Sequence, residues 1–225
     1  MSISVNLNAI KNQLPAHCKL IAVTKTHPAD LITEAYNTGH RIFGENKVQE
    51  MVAKAELLPK DIEWHLIGHL QSNKVKSIAH FVSMIHAVDS LKLLSEINKQ
   101  AEKVNRVIPC LLQIHIAEEE TKFGFSESEI LEVLSSAALL NLKNIVVKGL
   151  MGMATFTENQ EQVRREFRTL KTLFEKLKAS TLPAPVAMEE LSMGMSGDYP
   201  IAIEEGSTMI RVGSAMFGQR DYSKQ

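Results

Sequence analysis

Cysteine is scarce in this sequence: Cys18 and Cys110, each beside an apolar run, are the only two. That is too few for a disulfide-dense scaffold, and core packing in a reducing compartment is the better reading of both. No apolar stretch is long enough to span a bilayer. The start, Met1 to Leu14, lacks the basic end and apolar core of a secretory signal, so a soluble, cytoplasmic protein is expected. An excess of either charge is also missing, with 25 Lys and Arg against 26 Asp and Glu and a net charge of -1. No basic stripe stands apart from its acidic neighbours, which argues against binding dominated by nucleic-acid phosphates or an anionic membrane. No G-x-G-x-x-G follows the first apolar run and no Walker loop occurs, so the nucleotide signals of an open doubly wound sheet are absent. There is no linker, low-complexity tract or clear repeat, and residues 1–225 read as one domain.

What is there is an ordinary globular composition, 44% hydrophobic and 23% charged, organised as alternating strands and helices. After an N-terminal helix, strands are expected at about Lys19–Thr24, Arg41–Gly44, Glu63–Gly68, Met84–Val88, Ile108–Ile116 and Ile145–Leu150. A weak seventh candidate lies at Glu190–Met193, and the eighth at Thr208–Phe217. Pro28 opens a helix through Tyr36, others follow at about Lys47–Leu57 and through Ile78, and Ser90 and Ser126 cap two more. A long charged helix covers about Asn159–Ala179. Alternation implies right-handed crossovers and a parallel sheet, and about eight units is the count of a closed TIM-type (β/α)8 barrel.

In such barrels the chemistry gathers at the C-terminal ends of the strands. The first strand ends at Lys25, followed by Thr26-His27-Pro28. A lysine held at a strand end and desolvated keeps a free amine that can condense with an aldehyde; the plainer alternative is a snorkelling edge lysine. The later ends carry Asn46, Gly68-His69, Asp89, His115, then Lys122, Met151-Gly152-Met153, Ser192 to Ser196 and Arg211 to Ser214. Ser196, Gly213 and Ser214 follow the last two strands, where phosphate sites of this fold often lie. Glycine lets backbone N–H groups approach an anion, and serine adds a donor; simple turns are the alternative. An amine and a phosphate cradle in one ring suggest pyridoxal 5'-phosphate (PLP) held as a Schiff base. Arg211 on the eighth strand could then face the pyridine nitrogen and, staying protonated, keep it unprotonated.

The stretches Ala22 to Lys25, Phe43-Gly44-Glu45-Asn46-Lys47-Val48-Gln49-Glu50 and Trp64 to Lys74 resemble a known family in order and spacing. So do Gly149-Leu150-Met151, Leu191 to Ser196 and Arg211 to Gly218. That family is the pyridoxal phosphate homeostasis proteins, also called YggS or PROSC. The resemblance implies a PLP-bearing barrel of fold type III, similar to the N-terminal domain of alanine racemase. It matches Lys25 to the Schiff-base lysine, Ser196, Gly213 and Ser214 to the phosphate cradle, and Arg211 to the residue facing the pyridine nitrogen. Asn46 matches a polar residue near the ring, and Lys122 a proposed second PLP contact or transfer point. It also implies a monomer, with PLP-dependent apo-enzymes as candidate recipients. The sequence departs from one common pattern: His27 stands where many relatives have lysine, so a relay through that position is altered here.

The favoured reading is a PLP carrier or buffer without turnover. A small PLP-dependent racemase is the alternative. That chemistry needs a tyrosine on the second cofactor face, whereas Tyr36, Tyr199 and Tyr222 read as helix, loop and tail. A barrel for another phosphorylated ligand, such as a flavin or sugar phosphate, is a third class, which a pyridoxyl label on Lys25 eliminates. His65 and His69 have the spacing of a helical metal pair but fall on a strand and its loop, where that spacing does not converge. His86, His115, Met151, Met153, Met193 and Met195 read as barrel lining.

Overall fold

The run Leu20-Ile21-Ala22-Val23 is buried at every position, because a parallel strand is covered on one side by helices and on the other by the barrel interior. In the computed structural model, which describes residues 2–118 and 123–218, eight such strands pair in sequence order and close on themselves. They are β1 Lys19–Val23, β2 Ile42–Glu45, β3 Glu63–Leu66, β4 Met84–Val88, β5 Ile108–Gln113, β6 Ile145–Met151, β7 Val186–Met195 and β8 Met209–Val212. The helices are α1 Ile3–Lys11, α2 Ala29–Asn37, α3 Val48–Leu57, α4 Val75–Ile78, α5 Leu91–Lys103, α6 Glu127–Ser135, α7 Ala137–Leu140, α8 Gln160–Lys178, α9 Tyr199–Glu204 and α10 Ser214–Phe217. Every strand pairing is parallel, and the β1–β8 pairing closes the ring.

Local sequence explains the helices. Ser90 accepts from the Leu93 N–H to start α5, and Leu93, Leu94, Ile97 and Ala101 then fall on its buried face. Ser126 and Glu129 form a reciprocal capping box at α6. Asn159 caps α8, whose Val163, Phe167, Leu170, Phe174 and Leu177 recur at alternating steps of four and three and pack on the barrel.

Two apolar clusters follow from closure. The large one lies between strands and helices, whereas Ile21, Ala87, Leu111, Met151 and Met209 come from five different strands and can meet only inside the barrel. Met193, expected to line the barrel, belongs instead to the outer cluster. Cys18 and Cys110 are buried free thiols, as core packing requires. Burial pushes the Cys18 thiol up to about 11 and raises that of Cys110 as well. Among the described residues, no helix is long and apolar enough to cross a membrane.

Boundaries moved where the apolar pattern is blind. The seventh strand is ten residues long, not four. Its acidic pair hid it, yet Glu189 meets Lys148 across the barrel wall and Glu190 takes Lys19 and the Thr208 hydroxyl. The eighth strand stops at Val212, because the chain turns at Gly213 and Ser214–Phe217 continues as α10. A run such as Ala-Met-Phe suits strand and helix equally. The fifth strand ends at Gln113, and Ile114 then makes an isolated bridge to Phe125. Tyr199, read as loop, opens α9.

Candidate functional site at the strand ends

Six of the seven residues singled out from the sequence line one cavity of about 400 Å³ at the C-terminal mouth of the barrel. Lys25 enters from behind β1, Asn46 from β2, Ser196 from β7, Arg211 from β8, and Gly213 and Ser214 from the turn after it. These strands are consecutive around the ring, in the order β7, β8, β1, β2. Val23, Ile67, Met153, Ala154 and Phe156 are among its other lining residues, with Thr155, Gln160 and Asp198 adding polar groups. Lys122, the seventh, lies outside the described residues. The segment's two flanks are held: the Gln113 side-chain amide donates to Phe123 O (2.9 Å), and Glu118 N–H donates to Thr155 Oγ1 (3.1 Å).

Lys25 is half-buried, and its neighbours are gripped. Thr24, fully buried, donates its amide to Gly44 O (3.0 Å) and its hydroxyl to Glu45 Oε1 (2.5 Å), while Thr26 adopts a left-handed φ of 68°. His27 packs its ring on Phe217, 4.9 Å between centroids. Asn46 sits close to the next strand end because residue 68 is glycine: a Cβ there would lie 2.5 Å from Asn46 O.

The turn after β8 converges donors on one point. Ser196 Oγ accepts from Gly213 N–H (3.1 Å) and Ala215 N–H (3.3 Å), so two backbone amides face the same small volume as the serine. Ala215 was not singled out from the sequence, since its contribution is a backbone group that any residue supplies.

Arg211 is buried beneath the cavity and held rigidly. It donates through Nη1 to Ser192 Oγ (2.6 Å) and through Nη2 to Gly152 O (3.0 Å). Burial lowers its pKa to about 10, which leaves it cationic at neutral pH. Ser192 Oγ is hydrogen-bonded to His86 Nδ1 (3.0 Å), and His86 Nε2 to His65 Nδ1 (2.9 Å). Burial drives both imidazoles toward the neutral form, His65 to about 3 and His86 well below its ordinary value. Two neutral rings with one proton between them complete a hydrogen-bonded row without adding charge beneath the guanidinium. Sequence reading saw His65 and His86 only as structural. The signal was one uncharged polar residue within each of β3, β4 and β7: His65, His86 and Ser192. His69 is elsewhere, paired with Asp89 (3.1 Å) and stacked on Phe123, so His65 and His69 do not converge. Among the described residues, no cluster could hold a metal ion.

The two described tyrosines lie off the cavity. Tyr36 OH donates to Asp61 (2.8 Å) and Tyr199 OH to Gln13 (3.3 Å). Tyr222 lies outside the described residues.

A lysine behind the first strand, a donor cradle behind the last two and a buried arginine between them define a barrel of the alanine racemase type. The family model described as alanine racemase, N-terminal domain, matches residues 2–221. Alanine racemase from Clostridium difficile has the same fold, with a TM-score of 0.75 at 16% identity over 97% of this chain and 56% of its own. Far closer in sequence is a protein of Aquifex aeolicus named pyridoxal phosphate homeostasis protein, 43% identical over 91% of this chain and 88% of its own length. PipY from Synechococcus elongatus PCC7942, whose structure was solved with PLP bound, shares 36% identity and a TM-score of 0.87 over 96% of this chain and all of its own. The chain belongs to the pyridoxal phosphate homeostasis protein family.

Proposed function

We propose that this protein binds PLP in the strand-end cavity, anchored covalently through Lys25, and serves intracellular PLP homeostasis as a cytoplasmic, monomeric carrier or buffer without turnover. One observation carries the reading: residues chosen from the sequence for an aldehyde, a phosphate and a pyridine nitrogen line a single cavity. The donor set suits the group at each of its three polar points. When bound, PLP supplies an aldehyde for an amine to capture and an aromatic ring able to accept electron density. Lys25 offers the amine. The Ser196 and Ser214 hydroxyls offer neutral donors to a phosphate at the point where Gly213 and Ala215 N–H gather on Ser196 Oγ, and Asn46 offers a polar group beside the ring. Arg211, fixed by Ser192 and Gly152, presents a positive charge that disfavours a proton on a nitrogen beside it. That arrangement holds a cofactor while leaving its ring a weak electron sink. The absence of a tyrosine from the cavity wall among the described residues also favours a carrier over a racemase.

The test is to load the protein with PLP, reduce it with borohydride and map the labelled peptide. Pyridoxyl on Lys25 is expected, falling to background in Lys25→Ala; a label on another lysine overturns the assignment. The loaded protein, given L-alanine in heavy water, is expected to exchange the α-proton no faster than free PLP or Lys25→Ala. Exchange well above both would make it an enzyme.

A further inference from the structure

Behind Lys25, outside the barrel wall and away from the cavity, lies a buried charge cluster that the site description leaves without a role. Glu45 ends β2 with no solvent exposure, and Lys54 of α3 is also buried. Lys54 Nζ donates to Glu45 Oε1 (2.7 Å), Glu50 Oε1 (2.7 Å) and Thr24 O (2.8 Å), which uses all three of its protons. Each contact leads to the peptide that carries Lys25. The Thr24 carbonyl is held directly, and the Thr24 hydroxyl is held through Glu45. The Thr26 N–H donates to Glu50 Oε1. One ammonium thus grips the residues on both sides of Lys25.

Two features point past mere packing. Thr26 has a φ of 68°, a conformation uncommon for a β-branched residue, which persists only when its surroundings impose it. Glu45 Oε2 is buried without a hydrogen-bond partner, and burial raises the carboxyl's pKa against the opposing pull of Lys54. A buried ion pair with an orphaned oxygen is a poor source of stability, and well-packed apolar residues of similar volume often do as well. Its geometric product here is one turn, Thr24–Lys25–Thr26.

We propose that Lys54, anchored by Glu45 and Glu50, is a positioning residue that holds this turn so that Lys25 is delivered into the cavity ready for capture. This rests on the reading of Lys25 as the PLP anchor. In capture, Lys25 Nζ bonds to the aldehyde carbon, and the aldehyde oxygen leaves as water with the amine's two protons. Lys54 touches neither atom; it sets how often the amine stands where the bond forms. The phosphate cradle, on the turn after β8, does not depend on it.

The test compares covalent and non-covalent binding in full-length protein. Lys54→Met/Glu45→Gln removes the clamp without leaving a lone buried charge, and Glu50→Ala, at a partly exposed site, frees the Thr26 N–H and takes away one of the three acceptors of Lys54 while Glu45 and the Thr24 carbonyl still hold it. The rate of PLP capture at Lys25, followed by absorbance, is expected to fall about tenfold in the first variant and about threefold in the second. Affinity for pyridoxine 5'-phosphate, which has no aldehyde, is expected to be unchanged. Capture at the wild-type rate in both variants overturns the clamp and leaves the PLP reading intact. An equal loss of capture and analogue affinity also overturns it, since the cluster would then only hold the fold. Wild-type protein that neither labels at Lys25 nor binds the analogue overturns the PLP reading itself.

Discussion

Gly149→Ala is expected to cost the barrel a large share of its stability. Gly149 lies on β6 with a φ of 151°, opposite Glu190 of β7, at a shift in strand register. A Cβ built there falls 1.8 Å from the Glu190 carbonyl oxygen and 2.8 Å from its carbon. Both sides of the clash are backbone, so no rotamer change relieves it. Glu190 is further tied down by Lys19 and by the Thr208 hydroxyl (2.7 Å). Relief requires β6 and β7 to part, which opens the ring. A loss above about 4 kcal/mol is expected, a large share of the roughly 5–15 kcal/mol that stabilises a native domain. Soluble yield and the urea midpoint of any soluble fraction measure it. The control is Gly39→Ala: Gly39 also has a positive φ, 88°, but its added Cβ meets nothing within 4 Å. That change should cost about 1 kcal/mol, the ordinary cost of a left-handed conformation. A wild-type midpoint for Gly149→Ala would show that the strands separate freely here.

The second large effect is loss of stability at mildly acid pH, above the range where carboxylates titrate. Burial depresses three imidazoles from 6.5: His40 to about 4, His65 to about 3, and His86 well below its usual value. A histidine whose folded pKa is depressed binds its proton only after unfolding. Its contribution is therefore complete above the unfolded value of 6.5 and is lost as pH falls from there toward the folded value. A group depressed as far as His40 costs roughly 2 kcal/mol between pH 7 and pH 5 by linkage, and the buried, hydrogen-bonded His65–His86 pair acts in the same direction. Glu45 opposes this: its raised pKa lets the folded state take up a proton early, which adds stability as pH falls toward 4.5. Urea unfolding at pH 7 and pH 5 should show a drop of several kcal/mol, and proton uptake on unfolding at pH 5 should be two to three per chain. His40→Gln should remove about one of those protons. A flat profile between these pH values would mean that the buried rings take up protons in the native state as readily as in the unfolded chain.

The architecture was legible because parallel strands buried on both faces read as short apolar runs separated by capped amphipathic helices. Ser90, Ser126 and Asn159 mark helix starts by chemistry confined to four residues, and all three caps form. Strand β7 and the end of β8 were harder for a related reason. Glu189 and Glu190 are matched by partners far away in the chain, and the residues after Gly213 suit either period. The six residues that meet in the cavity could be picked out because an amine, a guanidinium and glycine–serine turns are read one residue at a time, and the barrel rule supplies their address at the strand ends.

Sequence by itself therefore determined the order of elements, the closed barrel they imply, and which strand ends carry an amine, a guanidinium and glycine–serine turns. Each of those follows from local periodicity or from the identity of one side chain. Only the tertiary structure decided the row Arg211–Ser192–His86–His65, the three-point grip of Lys54 on the Lys25 turn, and the contact that requires Gly149. Those depend on register between strands and on which face of a wall a polar group meets. A shift of one residue in a strand would send the same side chains to the opposite face, so no local reading could have placed them together.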